Sequence, residues 1–199
     1  MKEIKTYIIE KLKVSVRNTT KHTLFPKTKD ELRQMIEDEI SNNGNECSLN
    51  HIDVSKITDM SRLFYFSNFN GDISDWNTSN VTSMNRMFLS SEFNGDISNW
   101  NVSSVTDMGY MFQNSIFNGD ISDWDVYNVT NMTNMFFKSK FNGDISNWDV
   151  SNVTKMPQMF LGSVFDGDIS NWDVSSVKNM GRMFSDCPLE NNPPKWYKK

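Results

Sequence analysis

Two cysteines in 199 residues, Cys47 and Cys187, are too few to staple a disulfide scaffold and sit at no metal-ligand spacing, so free thiols are expected. Five prolines and nine glycines exclude a collagen-like chain. No apolar run reaches the roughly 18 residues of a membrane span. Histidine is also scarce: with His22 and His51 alone, neither a histidine metal cluster nor a Ser-His-Asp arrangement can be assembled. Apolar residues make up 37%, below the roughly 45–50% of an ordinary globular domain. Against that deficit stand 14 Phe, 13 Met, 6 Trp and 25 Asn. Large hydrophobes and small polar residues are both in excess, which excludes a disordered chain, since such chains lack aromatics.

Charge is uneven. Residues 1–44 hold nine Lys/Arg against seven Asp/Glu, and residues 45–199 hold eleven against eighteen, so the body carries −7 and nucleic acid is not an expected partner. The first residues, Met1-Lys2-Glu3-Ile4-Lys5, are followed by Tyr7-Ile8-Ile9, which Glu10 and Lys11 cut short of signal-peptide length. On this reading the sequence is not a secretory precursor.

The organising feature is a repeat. Phe69-Asn70-Gly71-Asp72-Ile73-Ser74 recurs at 93–98, 117–122, 141–146 and, with Asp166 for Asn, 165–170, a period of 24 residues without insertion. Leu49, Ile52, Val54, Ile57, Met60, Leu63 and Phe64 extend the register backwards as a partial unit. Numbering each unit from its Phe, columns 1, 3, 4, 5, 6, 8, 13, 16, 19 and 20 are identical in all five full units. Trp100 and Val102, at columns 8 and 10, alternate with polar neighbours at the period of a short strand. Val105, Met108, Met111 and Phe112 follow the three-and-four spacing of a helical turn, with Ser103, Ser104, Asn128 or Asn152 able to cap it. The Asn-Gly turn at columns 2 and 3 is expected to use glycine for a positive φ. The predicted fold is an α/β repeat solenoid, leucine-rich-repeat-like, with one short parallel strand and one helical turn per coil and stacked Trp and Phe ladders inside.

Three segments are expected. Residues 1–44 form an N-terminal cap, with a helix over about 28–42 that starts at the capping box Thr28-Lys29-Asp30-Glu31, buries Leu32, Met35, Ile36 and Ile40, and stops at Asn43-Gly44. Within the cap, Tyr7 to Val16 reads as helix and then strand through Lys13-Val14-Ser15-Val16. Residues 45–188 are the solenoid, and 189–199 a C-terminal cap in which Trp196 folds over the last coil. Cys187 stands where other coils place serine and reads as a cap residue.

The run Phe-Asn-Gly-Asp-Ile-Ser-Asn-Trp-Asp-Val-Ser-Asn-Val-Thr at 141–154, followed by Met156, Met159 and Phe160, resembles the repeat of the BspA-like leucine-rich-repeat surface proteins, also found in mycoplasma lipoproteins. The resemblance covers about 45–188. It implies a bacterial or virus-encoded tandem-repeat protein of the surface-adhesion type, at the cell surface or secreted, without catalytic residues or cofactor. The lack of a signal peptide points the other way, to a cytoplasmic or virus-encoded form.

For function, the residues indicate a non-enzymatic binding module. His51 beside Asp53 reads as a surface pair, and carboxylates that recur in every coil serve structure, because an active site needs one distinctive constellation. The candidate binding surface is the exposed sheet face: Asp75, Asn99, Asp123, Asn147 and Asn171 in column 7, Asn77, Asn101, Asp125, Asp149 and Asp173 in column 9, and Tyr127 in column 11. Asp125, Asp149 and Asp173 would stand about 5 Å apart, costing near 1 kcal/mol per neighbouring pair in water, so either a partner or local hydrogen bonds must compensate. The expected partner is a protein or glycan; a self-assembling structural or virion-associated component and a divalent-cation or glycan module are the alternatives. Asp72, Asp96, Asp120, Asp144 and Asp168 do not match the nine-residue calcium-binding repeat and read as turn residues. The stacked threonines Thr82, Thr106, Thr130 and Thr154 open a helical turn rather than lie paired on a strand, so an ice-binding face is not expected. Variable columns 17, 18 and 21–24, among them Arg86, Tyr110, Asn134, Gln158 and Arg182, form a second candidate surface.

Overall fold

The computed structural model describes residues 22–198. The predicted strand and helix within Tyr7–Val16 lie outside the described residues. The expected cap helix is present as α1, Lys29–Asn43. Thr28 accepts the Glu31 N–H through its side chain, satisfying an orphan donor of the first turn, and Glu31 reaches back to accept the N–H of Lys27, the residue before the cap. Gly44, at φ 85, ends the helix and donates to the Ile40 carbonyl. Leu32 and Ile36 are buried on the first coil, and Lys29 Nζ clamps the helix there through Asp59 Oδ2 at 2.6 Å and the Ser61 hydroxyl at 2.9 Å.

From Asn45 onward the chain winds into stacked 24-residue coils, but the α/β fold is overturned. Among the described residues the only helices are α1 and a single 3-10 turn, Pro188–Glu190, and no sheet forms; parallel contacts are isolated bridges, Leu24 to Ile52 and a series, one per coil, joining Asp59, Ser83, Asp107, Asn131, Lys155 and Asn179 in turn. The strand fails because turns close on both sides of it. Trp100 donates its backbone N–H to Ile97 O, and Val105 to Val102 O, so columns 5–8 and 10–13 are each bent. The alternation itself is real: Trp100 and Val102 are buried while Asn99 and Asn101 are exposed.

The helical turn fails for a different reason. In columns 16–22 every second N–H leaves the coil: Met132, Asn134, Phe136 and Lys138 donate to the carbonyls of Lys155, Pro157, Met159 and Leu161 in the next coil. The intervening N–H groups close three-residue turns, as Met135 to Met132 O and Phe137 to Asn134 O. Such a chain of turns repeats apolar residues every three positions as a helical turn does, so spacing alone cannot separate the two. Columns 18 and 22 adopt positive φ in every coil, for example Arg86 (59°) and Ser90 (53°), Tyr110 (62°) and Asn114 (57°), which a right-handed helix forbids.

Glycine was expected to supply the positive φ at column 3; it does not. The left-handed residues are the non-glycines just named, with Gly44 and Gly162 the only glycines among them. Gly119 is required for space, since a Cβ there would stand 2.9 Å from the Phe117 ring.

That ring belongs to one of two phenylalanine ladders. Phe64, Phe88, Phe112, Phe136, Phe160 and Phe184 stack with centroids 5.5 to 5.9 Å apart, and Phe69, Phe93, Phe117, Phe141 and Phe165 at 6.2 to 6.3 Å. The Trp ladder adds a stitch: each indole donates to the column 5 carbonyl of the preceding coil, as Trp124 Nε1 to Ile97 O at 3.2 Å. Trp196 repeats this bond to Ile169 O at 2.9 Å and stacks on Trp172, so the C-terminal residues return in register as the cap the sequence predicts. Both cysteines are free, and Cys187 is buried against Phe184 O.

Candidate functional site

All ten predicted residues of columns 7 and 9, Asp75, Asn77, Asn99, Asn101, Asp123, Asp125, Asn147, Asp149, Asn171 and Asp173, are exposed, as is Tyr127. They share one side of the stack, but that side is a surface of turns, not of a sheet. Column 9 is held locally. Asp149 Oδ1 accepts the Ser151 N–H at 3.0 Å and its hydroxyl at 2.6 Å, and Asn101 does the same with Ser103. Asp173 accepts from Ser175 N–H and Asp125 from Tyr127 N–H. Hydrogen bonds within the coil are therefore what compensates the stacked carboxylates.

The serine bonds also hold these carboxyls below the usual range. For Asp149 the Ser151 hydroxyl and N–H outweigh slight burial and the repulsion of Asp173. The Ser175 N–H and hydroxyl lower Asp173. Column 4 is built alike: Asp120, Asp144 and Asp168 are lowered by Ser122, Ser146 and Ser170. At Asp72 burial pushes the carboxyl up, but Ser74 and the Asn50 amide together bring it below its ordinary value. The turn role expected for column 4 is what the structure shows.

Two other readings change. His51 faces Glu39 of α1, with Nε2 to Oε1 at 3.5 Å, while Asp53 turns to the Ser55 N–H. The threonine column lies on the backbone ladder, each hydroxyl and N–H bonding the carbonyl of the preceding threonine, as Thr130 to Thr106 O.

A larger pattern escaped the column-by-column reading. Columns 1–12 of the five full units contain eleven Asp and no Lys, Arg or Glu, whereas columns 13–24 contain six Lys/Arg and three Asp/Glu. Stacking turns this into an acidic arc along all five units and a second arc that is positive in the last three of them. The signal was present in the sequence, in the sum over columns rather than in any one of them.

The family described as Mycoplasma protein of unknown function, DUF285, matches residues 30–139 and 114–198. The chain belongs to this family. No curated protein and no solved structure matches it. The DUF285 matches span α1, the stacked coils and the C-terminal return, so the acidic arc lies wholly within the family's extent. Among the described residues of this DUF285 member, no helix is long and apolar enough to cross a membrane, and no three His, Cys, Asp or Glu side chains group as a metal site.

Proposed function

We propose that this protein is a non-enzymatic interaction module that holds a basic macromolecular partner on the arc of columns 1–12. The observation that carries the reading is the eleven-to-none excess of Asp over cations on that arc. Serine bonds fix the column 9 side chains before any partner arrives, so little side-chain entropy is lost on contact. A row of like charge also speeds encounter with an oppositely charged surface and repels acidic ones. Tyr127, half exposed at the middle of the row, supplies an aromatic contact. The resemblance of the repeat to the BspA-like surface proteins supports an adhesion role at a cell surface.

Crosslinking capture from the native source tests the proposal. The wild-type chain should retain a basic protein whose recovery falls with salt, and Asp125→Lys combined with Asp149→Lys should abolish recovery at a temperature where the variant is still folded. Undiminished capture by the double variant would refute the acidic arc as the binding surface.

A further inference from the structure

We infer that the C-terminal end of the stack is a docking edge for an acidic, extended segment of another polypeptide. In each preceding full coil the N–H groups of columns 16, 18, 20 and 22 all find carbonyls in the following coil, as Met132, Asn134, Phe136 and Lys138 do. The last coil places Met180, Arg182, Phe184 and Asp186 in those columns. The C-terminal return rebuilds only columns 1–8, ending its register at Trp196 over Trp172. The N–H groups of Met180, Arg182 and Phe184 therefore have no acceptor among the described residues. The carbonyls of Asn179, Gly181, Met183 and Ser185 are spent on the preceding coil, so this edge offers donors without acceptors.

The chain itself shows what such a row takes. Glu190 Oε2 accepts the fourth N–H, that of Asp186, at 3.0 Å. Beside the row lies a cavity of about 270 Å3 lined by Arg182, Phe184, Ser185, Glu190 and Tyr197. Arg182 and Lys178 are exposed at the same end. A carboxylate makes a stronger hydrogen bond to a backbone N–H than a neutral carbonyl does. Donors at every second residue match an extended chain whose side chains on one face also recur every second residue.

A second copy does not supply the occupant through its own ladder. At the opposite end α1 lies over the first coil, with Lys29 on Asp59 and Ser61, and Arg33 Nη2 3.5 Å from Arg62 O. Two donor edges facing each other would leave both unpaired. The partner must bring acceptors and negative charge.

A fluorescein-labelled decapeptide of alternating glutamate and glycine tests the edge by anisotropy, with amide exchange read by NMR on the same sample. Saturable binding is expected, with exchange slowed at Met180, Arg182 and Phe184. Arg182→Glu should weaken binding about tenfold or more, the scale of one charge-assisted bond, and Arg182→Gln by less. The inference is overturned if no saturation occurs, if both Arg182 variants bind as wild type, or if the three amides do not respond. Protection of those amides in peptide-free protein that sediments as a dimer would assign the edge to a second copy and overturn it too.

Discussion

The two halves of each coil are stitched to their neighbours by different means. In columns 13–24 the backbone does it, through the alternating N–H groups of residues such as Met132, Asn134, Phe136 and Lys138. In columns 1–12 of the interior coils side chains do it: Asn118 Oδ1 accepts the Asn142 N–H, the Trp124 indole N–H donates to Ile97 O, and the Asn128 amide donates to Ser103 O. Sequence follows stitching. Columns 15, 17, 18, 21, 22 and 24 vary freely because any residue but proline carries the N–H a ladder needs, and even Pro157 serves where only its carbonyl is used. Columns 1, 3, 4, 5, 6 and 8 are identical because the side chain there bonds, packs or must be absent, and columns 13, 16, 19 and 20 of the other half are identical because their side chains pack in the core.

Trp124→Ala should break the side-chain half most severely. It removes a buried ring and leaves Ile97 O without its donor, a loss of about 3–5 kcal/mol by chemical denaturation. Next is Gly119→Ala, whose methyl would press on the Phe117 ring and cost about 1–3 kcal/mol, although φ there is permissible for alanine. A cost near zero would mean that glycine stands at column 3 for another reason.

The backbone half should respond in the opposite sense. Lys138 sits at φ 51 in column 22, where the next coil has Gly162. Lys138→Gly relieves left-handed strain of about 1–2 kcal/mol against an unfolded-state entropy cost of about 0.5–1, so a gain near 0.5 kcal/mol is expected. Destabilisation would show that the Lys138 side chain carries more than its backbone.

Acid has the smallest effect per group. The lowered carboxyls of Asp120, Asp144, Asp149, Asp168 and Asp173 have native values below their unfolded ones, so each adds stability that is fully present above the ordinary carboxylate range. That stability is lost as pH falls through the native values. The melting temperature should therefore hold from pH 7 to about 5 and drop below about 4, the ordinary aspartate value, with Asp144→Asn blunting the drop.

What was legible in the sequence was whatever burial imposes. The 24-residue period, the Phe, Trp and Met columns, the capping box at Thr28 and the return of Trp196 all follow from side chains that must leave water or satisfy a helix end. Backbone hydrogen bonding was not legible. Alternation at Trp100 and Val102 looks the same whether turns or a ladder flank it, and the three-residue steps of Val105, Met108 and Met111 fit a helical turn as well as a chain of turns. Positive φ at Arg86, Tyr110, Asn134 and Gln158 has no glycine to announce it. At the candidate site the exposed columns were found residue by residue, whereas their serine clamps follow from an aspartate or asparagine two positions before a serine, a spacing present throughout columns 4–6 and most of 9–11.

Amide hydrogen exchange measured residue by residue tests the division of labour most directly. Thr130, Met132, Asn134, Phe136 and Lys138, which bond between coils, should exchange far more slowly than Asp120, Ile121, Asp125 and Val126, whose N–H groups have no acceptor among the described residues. Equal protection in the two sets, and above all slow exchange through Asp125 and Val126, would restore a paired strand to columns 8–11 and contradict the account.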